Sequence, residues 1–106
     1  MTESAPLRAL ALVCSLKPSP APSSSDKLAR EVLDELAGHG VTGDVVRVVD
    51  HDVKPGVEAD MGEGDAWPGI REQLMAADIL LVATPTWVGH MSSVAQRVLE
   101  RLDAEL

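Results

Sequence analysis

The sequence predicts one α/β domain in which helices cover both faces of a parallel sheet. Three strand-length apolar runs alternate with amphipathic stretches of helical length along the chain. This alternation is typical of a doubly wound sheet, since right-handed crossovers place helices on both of its faces. A chain of 106 residues has room for a single hydrophobic core, so we expect residues 1–106 to form one domain.

The three predicted strands are residues 10–14, 45–49 and 79–83. The first and third are almost continuously apolar, which is typical of strands that are covered on both faces. The second consists of valines interrupted by Arg47, and β-branched residues favour strands. Because Trp67 and Trp87 are the only aromatic residues, we expect aliphatic side chains to build the core.

A first helix is predicted over residues 26–37, between the first two strands. Its apolar positions recur with helical spacing and form one face: Leu28, Val32, Leu33 and Leu36. Ser23 can cap the free amides at its start, and Asp26 has the spacing of a capping box. Gly38 and Gly40 supply its stop.

Two more helices and one long irregular segment follow. A short helix is predicted over residues 68–77, with a proline in its first turn and three inward residues: Ile70, Leu74 and Met75. The last helix, 92–106, has Ser92 or Ser93 as its cap and an apolar face of Val94, Val98, Leu99 and Leu102. Residues 51–67 are rich in glycine and acids, and an irregular segment of this length indicates either a binding-site loop or a mobile loop.

Charge and cysteine content exclude several classes of function. Nine basic and seventeen acidic residues give a net charge of −8, which repels nucleic acids and anionic lipids. The single cysteine, Cys14, allows no intrachain disulfide and no cysteine-cluster metal site, and it favours the reducing cytoplasm. Residues 9–16 could be read as a signal-peptide core, but no basic cluster precedes them and they are too few to span a membrane. We therefore expect a cytoplasmic protein without membrane contact.

The turn after the first predicted strand has the residues of a phosphate site, at the end of the sheet where α/β proteins bind ligands. It leads into a helix N-terminus, whose amides and dipole attract anions, and Lys17 adds a positive charge. The hydroxyl groups singled out as phosphate donors are those of Ser15, Ser23, Ser24 and Ser25. The turn contains neither a G-x-G-x-x-G dinucleotide motif nor an ATP-type phosphate loop. A surface turn followed by a capped helix is the alternative.

The turn after the third predicted strand carries a family resemblance. Residues 84–93, Thr-Pro-Thr-Trp-Val-Gly-His-Met-Ser-Ser, resemble the P-T-[aromatic]-x-G-x-[MP]-[SP] loop of flavodoxin-like NAD(P)H-dependent FMN reductases and multimeric quinone reductases. The first turn is similar to the G-S-x-[RK]-x-x-S-x-[ST] phosphate loop of the same family. The resemblance extends from Leu7 to the C-terminus, and it implies a three-layer α/β/α flavodoxin-like fold with strand order 2-1-3.

The resemblance also implies a flavin site. It places the phosphate of FMN at Ser15, Lys17, Ser23, Ser24 and Ser25, and the isoalloxazine ring at Thr84, Pro85, Thr86, Trp87, Val88, Gly89 and His90. In this interpretation NAD(P)H reduces the flavin, which passes electrons to a small acceptor such as a quinone or free flavin. No side chain acts as the catalyst, because the cofactor carries the chemistry. The protein is then expected to be a homo-oligomer.

Two alternatives to the reductase differ in whether flavin is bound. An FMN electron carrier without a nicotinamide site is the first, and the net charge of −8 suits docking to basic partners. Consumption of NAD(P)H distinguishes the reductase from this carrier. The second is a receiver-like regulatory module without a cofactor, which needs clustered acids near the end of its first strand, and residues 7–17 contain none.

The sequence departs from the family pattern in three ways. Cys14 occupies the position of the glycine that precedes the phosphate-loop serine, and three prolines lie within the loop. No cysteine follows Cys14, which excludes the iron–sulfur members. Members of the family have two further strand–helix units, so we expect the third strand to be an edge of the sheet here. Its apolar residues include none of the charges or prolines that usually protect an edge strand from pairing. We therefore expect a fragment of a longer flavoprotein, or pairing through this edge, and weak FMN binding by these residues alone.

Several other residues have both a structural and a functional interpretation. Asp50 is either a ribose-binding carboxylate or a solvated strand-end acid. Trp87 is either a lid on the core or a pocket wall, whereas Trp67 is expected to pack over a helix start. Cys14 is expected to be a small buried apolar residue rather than a reactive thiol. We expect a solvated acidic loop and no metal site from His51, His90, Asp52, Glu58, Asp60, Glu63 and Asp65, whose spacing fits no metal motif.

Overall fold

The computed structural model describes residues 6–105, which form a three-stranded sheet, a small hairpin and three helices. The strands of the sheet are β1 (Arg8–Val13), β2 (Thr42–Arg47) and β3 (Ile79–Ala83), and the hairpin consists of β4 (Thr86–Trp87) and β5 (His90–Met91). The helices are α1 (Ser24–Ala37), α2 (Trp67–Met75) and α3 (Ser93–Arg101). Single 3₁₀ turns, Val48–Asp50 and Leu102–Glu105, follow β2 and α3. No helix in this part of the chain combines the length and apolarity that crossing a membrane requires.

The sheet is parallel, and β1 lies between β2 and β3. Leu12 of β1 is paired with Val46 on one side and with Val82 on the other. The predicted strand order 2-1-3 is therefore confirmed. The chain passes from β1 to β2 on one side of β1 and then crosses to β3 on the other side. The carboxyl ends of β1 and β3 therefore form the switch point at which α/β sheets bind ligands.

Two layers of side chains cover the faces of the sheet. On one face Leu12 belongs to a buried cluster with Trp67, which is completely enclosed. On the other face Ala29 of α1 packs with Ala11 and Val13. The expectation of an aliphatic core is thus wrong for Trp67, whereas its predicted packing at a helix start is confirmed, since it is the first residue of α2.

β2 begins and ends earlier than the predicted strand 45–49. Its pairing with β1 starts at Thr42, and Val48–Asp50 forms a 3₁₀ turn. The first residues of β2 are exposed, so they lack the apolar pattern from which a strand is predicted. Gly43 allows α1 to lie close to this end of β2, because a Cβ at that position would approach Leu33 Cδ2 to 2.9 Å.

α1 presents the predicted face to the sheet only in part, since Leu33 packs against the buried cluster that contains Ala29, as predicted. Ser25 and Ala29 are buried, whereas Val32 is exposed and Leu28 is 59% exposed. Small residues at the contact let a helix backbone approach the sheet closely, so they occupy the buried positions. Hydrophobic spacing alone predicts the neighbouring stripe, because leucine and valine dominate any apolar pattern.

The inward faces of α2 and α3 also differ from the prediction near their ends. Met75 and Leu99 are exposed, although both were expected to face the core. Val98 is buried as predicted, and Arg101 is fully buried beside it. The helix ends at Arg101, and the predicted end at Leu106 lies outside the described residues.

A buried ion pair organises the segment between β2 and α2. Arg101 Nη2 donates to Asp65 Oδ2 at 2.6 Å, and neither side chain is accessible to solvent. Asp65 also accepts the N–H groups of Lys54, Met61 and Trp67. Hydrogen bonds from Arg101 hold the pKa of Asp65 well below its ordinary value. The expected solvated acidic loop is therefore wrong for Asp65, whose carboxylate fixes the path of the segment.

Candidate functional site

An open groove of about 530 Å³ lies between the turns that follow β1 and β3, at the switch point of the sheet. Its volume is within the range of small-molecule sites, roughly 300–1,000 Å³. Both turns and the first turn of α1 contribute to its lining, which consists of Ser15, Leu16, Lys17, Pro22, Ser23, Ser24, Ser25, Pro85, Thr86 and Trp87.

The β1–α1 turn brings hydrogen-bond donors to the groove. Ser23 is the N-cap of α1, where its Oγ accepts the Asp26 N–H at 3.1 Å, and its hydroxyl hydrogen is still available to donate. The N–H groups of Ser24 and Ser25 find no acceptor within residues 6–105. Lys17 adds an exposed ammonium group. This donor set suits a phosphate, since it joins a helix N-terminus to hydroxyl groups and a positive charge.

Buried residues fix the start of this turn. Ser15 is only 5% exposed, and its Oγ accepts the Lys17 N–H at 3.0 Å. Cys14 is completely buried, which raises the pKa of its thiol to about 11. The thiol is therefore protonated at neutral pH, and the predicted burial of Cys14 is confirmed. Its side chain belongs to the core cluster, so this position accommodates a residue larger than glycine.

The turn after β3 folds into a hairpin that the sequence prediction does not include. Thr86 is paired with Met91, and Trp87 with His90. Val88 and Gly89 at the tip have positive φ angles of 52° and 73°, as the favoured two-residue hairpin turn requires. Gly89 was a usable signal for this turn, but a valine before it argues against one, because β-branched residues rarely adopt positive φ.

Trp87 forms a wall of the groove rather than a lid on the core. Its side chain is 54% exposed, and it lines the groove together with Pro85 and Thr86. A half-exposed indole offers a flat apolar surface on which a planar ring can stack. The structure thereby decides between the two alternatives for Trp87.

Ser92 connects the two turns on either side of the groove. Its Oγ donates to the carbonyl oxygen of Cys14 at 2.7 Å and accepts the Ala95 N–H at 3.1 Å, which caps α3. Its own N–H donates to Thr84 Oγ1 at 3.0 Å. The Cys14 N–H donates to the carbonyl oxygen of Ala83 at 2.7 Å. These bonds set the separation between the two turns, and only the cap was predicted.

Two side chains, one at the end of β2 and one in the 3₁₀ turn that follows it, hold the middle of the β1–α1 turn. Asp50 accepts both the N–H of Ser19, at 2.8 Å, and its hydroxyl, at 2.5 Å. Arg47 Nη2 donates to the carbonyl oxygen of Ala21 at 2.8 Å. The hydroxyl of Ser19 lowers the pKa of Asp50. Asp50 is exposed, as expected of a solvated acid, and its carboxylate also binds the turn, which was not predicted.

The groove gathers some of the predicted site residues and leaves others aside. All five residues predicted for the phosphate line it, as do Pro85, Thr86 and Trp87. Four predicted residues are not part of the lining: Thr84, Val88, Gly89 and His90. Thr84 is bonded to Ser92, and the other three form the tip and return strand of the hairpin. Leu16 and Pro22 line the groove but were missed, because neither side chain carries a chemical signal.

The side chains considered for a metal are dispersed. Within residues 6–105, no three His, Cys, Asp or Glu side chains are grouped as a metal ion would require. His51 and Asp52 line a smaller cavity of about 200 Å³ beside the start of α3, together with Arg97. His90 lies on the hairpin instead.

Residues 7–106 match the model of the family described as NADPH-dependent FMN reductase. The chain belongs to this family. Its members are oxidoreductases. A solved structure confirms that this chain has the flavodoxin-like fold. The crystal structure of RosB with bound 8-demethyl-8-formylriboflavin-5'-phosphate is similar with a TM-score of 0.81 at 32% identity, covering 92% of this chain and 42% of RosB.

Two relatives match almost the whole of this chain. The 8-demethyl-8-aminoriboflavin-5'-phosphate synthase of Streptomyces davaonensis is 32% identical in an alignment of 106 residues, which covers 92% of this chain and 41% of the synthase. The divalent metal cation transporter MntH of Mycobacterium bovis is 42% identical in an alignment of 102 residues, which covers 92% of this chain and 15% of the transporter. The chain thus spans less than half the length of each relative.

Proposed function

We propose that the groove binds FMN and that this chain is the flavin-binding part of an oxidoreductase. FMN combines a phosphate dianion with a flat ring system, so its site needs an anion-binding end and an apolar wall. The observation that carries the proposal is that one groove joins both: Ser23, Ser24 and Ser25 lie at one end, and Trp87 forms a wall. Membership of the FMN reductase family supports it.

At the phosphate end, the chain supplies donors without rearrangement. The N–H groups of Ser24 and Ser25, which have no acceptor in the described part of the chain, lie at the positive end of the α1 dipole. The Ser23 hydroxyl donates from the N-cap, and the Lys17 ammonium offsets the negative charge. Ser15 contributes by holding the Lys17 backbone. A phosphate bound here is recognised by hydrogen bonds and charge together, which discriminates FMN from riboflavin.

At the ring end, the hairpin presents a planar surface. Trp87 stacks against the flavin, while Pro85 and Thr86 complete the wall. Val88, Gly89 and His90 act by forming the hairpin that carries Trp87, and Thr84 acts through its bond to Ser92. When bound, FMN supplies the hydride and electron transfer. The residues of the chain bind and orient it, and no acid or base from the chain is needed.

We further propose NAD(P)H as the electron donor and a small quinone or free flavin as the acceptor. The groove is open to solvent, so a nicotinamide and an acceptor can reach the flavin in turn. An FMN electron carrier is the alternative, supported by the net charge of −8. The buried free thiol of Cys14 supports a cytoplasmic location, where thiols stay reduced. Self-association into a homo-oligomer is part of the same proposal.

The proposal is tested by titrating the purified protein with FMN and riboflavin, followed by flavin fluorescence. We expect measurable FMN binding that is tighter than riboflavin binding. NADPH or NADH is then added to the complex without oxygen, and bleaching of the visible flavin absorbance is expected. A flavin that binds but is reduced by neither nucleotide supports the carrier. Absence of FMN binding contradicts both functions.

The relatives favour a second candidate, in which the flavin is a substrate. RosB holds a modified riboflavin phosphate, and the Streptomyces davaonensis relative is a synthase of another. The same phosphate donors would hold such a substrate in this chain. Mass spectrometry of the flavin after incubation separates the two functions, since a cofactor is recovered unchanged and a substrate is not.

A further inference from the structure

The middle of the β1–α1 turn has few backbone hydrogen bonds with which to fix its own conformation. Pro18, Pro20 and Pro22 have no N–H group. A hydrogen bond from the Ala21 N–H to the carbonyl oxygen of Pro18, at 3.0 Å, closes one turn of the segment. The path of residues 18–22 therefore depends on contacts from another part of the chain.

Those contacts come from the last residue of β2 and from the 3₁₀ turn after it, 26 and 31 positions further along the chain. Asp50 binds Ser19 with both of its carboxylate oxygens, at 2.8 and 2.5 Å. Arg47, the last residue of β2, is buried and donates to Ala21 at 2.8 Å. The two side chains hold the turn at two points within residues 18–22.

We propose that Asp50 and Arg47 are positioning residues for phosphate binding. They hold residues 18–22 so that Lys17 and Ser23, which flank this segment, face the groove together. Neither Asp50 nor Arg47 lines the groove, so both act through the turn. A turn that is already ordered loses less conformational freedom when the phosphate binds, which strengthens binding. This inference rests on the proposed FMN site.

Substitutions of Asp50 can separate its hydrogen bonds from its charge. A carboxylate near the turn repels a phosphate, so loss of the charge alone favours FMN. Asp50→Asn loses the charge, but its amide still accepts the Ser19 N–H and can donate to Ser19 Oγ. Asp50→Ala loses the charge and both hydrogen bonds. The difference between these two variants therefore reports on the positioning alone.

The experiment compares the dissociation constants of FMN and riboflavin for the wild-type chain, Asp50→Asn and Asp50→Ala. We expect Asp50→Ala to bind FMN about fivefold more weakly than Asp50→Asn, because it loses the two hydrogen bonds that hold the turn. Riboflavin affinity should be the same in both, because it has no phosphate. Asp52→Ala is the matched control: it removes a neighbouring exposed carboxylate that contacts Lys54 and not the turn.

Equal FMN affinity in Asp50→Asn and Asp50→Ala overturns the inference. Equal losses of FMN and riboflavin affinity in Asp50→Ala also overturn it, because they indicate a general effect on the fold. If Asp50→Ala does not fold, Ser19→Ala removes the hydroxyl contact without changing the charge, and a loss specific to FMN is expected there as well. A wild-type chain that does not bind FMN overturns the proposed function and this inference with it, so the two failures are distinguishable.

Discussion

Ser92 Oγ donates a hydrogen bond of 2.7 Å to the carbonyl oxygen of Cys14, across 78 positions of the chain. Both residues are almost completely buried. The same oxygen atom accepts the Ala95 N–H, so one hydroxyl caps α3 and joins it to the end of β1. Because the groove lies between the turns that follow β1 and β3, and Ser92 closes the second of these turns, this bond couples the fold to the geometry of the site.

Ser92→Ala should lower the free energy of unfolding by about 2 kcal/mol, since it removes a helix cap and leaves a buried carbonyl oxygen without its donor. Urea denaturation measures the change. Ser93→Ala is the control: Ser93 is exposed, and its substitution should alter stability by less than roughly 0.5 kcal/mol. Equal effects of the two substitutions would show that the bond to Cys14 adds nothing.

Features encoded by neighbouring residues could be predicted from the sequence, and those that join distant residues could not. The three apolar runs and the Ser23 cap depend on local spacing, and both are present in the structure. The pair of Arg101 and Asp65 is separated by 36 positions, and nothing in the local pattern marks either as buried. The same limit explains Leu28: its spacing is helical, but the side of the helix that meets the sheet is decided by tertiary packing.

The candidate site follows the same division. The two turns are contiguous in sequence, so their serines, Lys17 and Trp87 were recognisable from their order. Asp50 was considered as a ligand, yet its contact is with Ser19, because the fold brings the end of β2 to the turn. The hairpin was missed since Val88 occupies a conformation that its side-chain type disfavours.

Lys17→Met should weaken FMN binding about three- to tenfold at low salt and leave riboflavin binding unchanged. The exposed ammonium acts on the phosphate mainly through charge, so the difference from the wild type should shrink as ionic strength rises. Isothermal titration at two salt concentrations measures it. Lys27→Met is the control, because Lys27 lies on the outer side of α1 and pairs with Glu31. Equal losses in both variants would point to net charge rather than to the site.

Trp87 fluorescence should fall when FMN binds, because the indole lies in the groove wall. Trp67 is buried in the core and should respond little, so Trp87→Phe is expected to abolish most of the quenching while the protein still takes up flavin. Phenylalanine keeps an aromatic surface for the flavin but removes the indole whose fluorescence is measured. Undiminished quenching in this variant would place the flavin away from the hairpin.

Asp65→Asn should destabilise the protein on the order of 3 kcal/mol at neutral pH, because it leaves the Arg101 charge buried without its partner. The pKa of Asp65 is lower in the folded than in the unfolded chain. Its contribution to stability is therefore complete above the unfolded pKa, about 4, and declines as the pH falls below that value. Urea denaturation from neutral to acidic pH should show a smaller acid-induced loss in the variant. If the free energy of unfolding fell equally with pH in the wild type and in Asp65→Asn, the stabilising role of the Asp65 carboxylate would be contradicted.

The outer edge of β3 should pair with another strand, either of a longer polypeptide or of a second copy of this chain. No strand lies beside it within residues 6–105, and the half-exposed Leu80 is flanked by apolar residues that offer no charge against edge pairing. Size-exclusion chromatography with light scattering should therefore show self-association of the isolated chain. Leu80→Lys should shift it towards the monomer, whereas Met75→Lys, an equivalent change at an exposed position of α2, should not. A wild-type chain that stays monomeric at high concentration would show that this edge needs no partner.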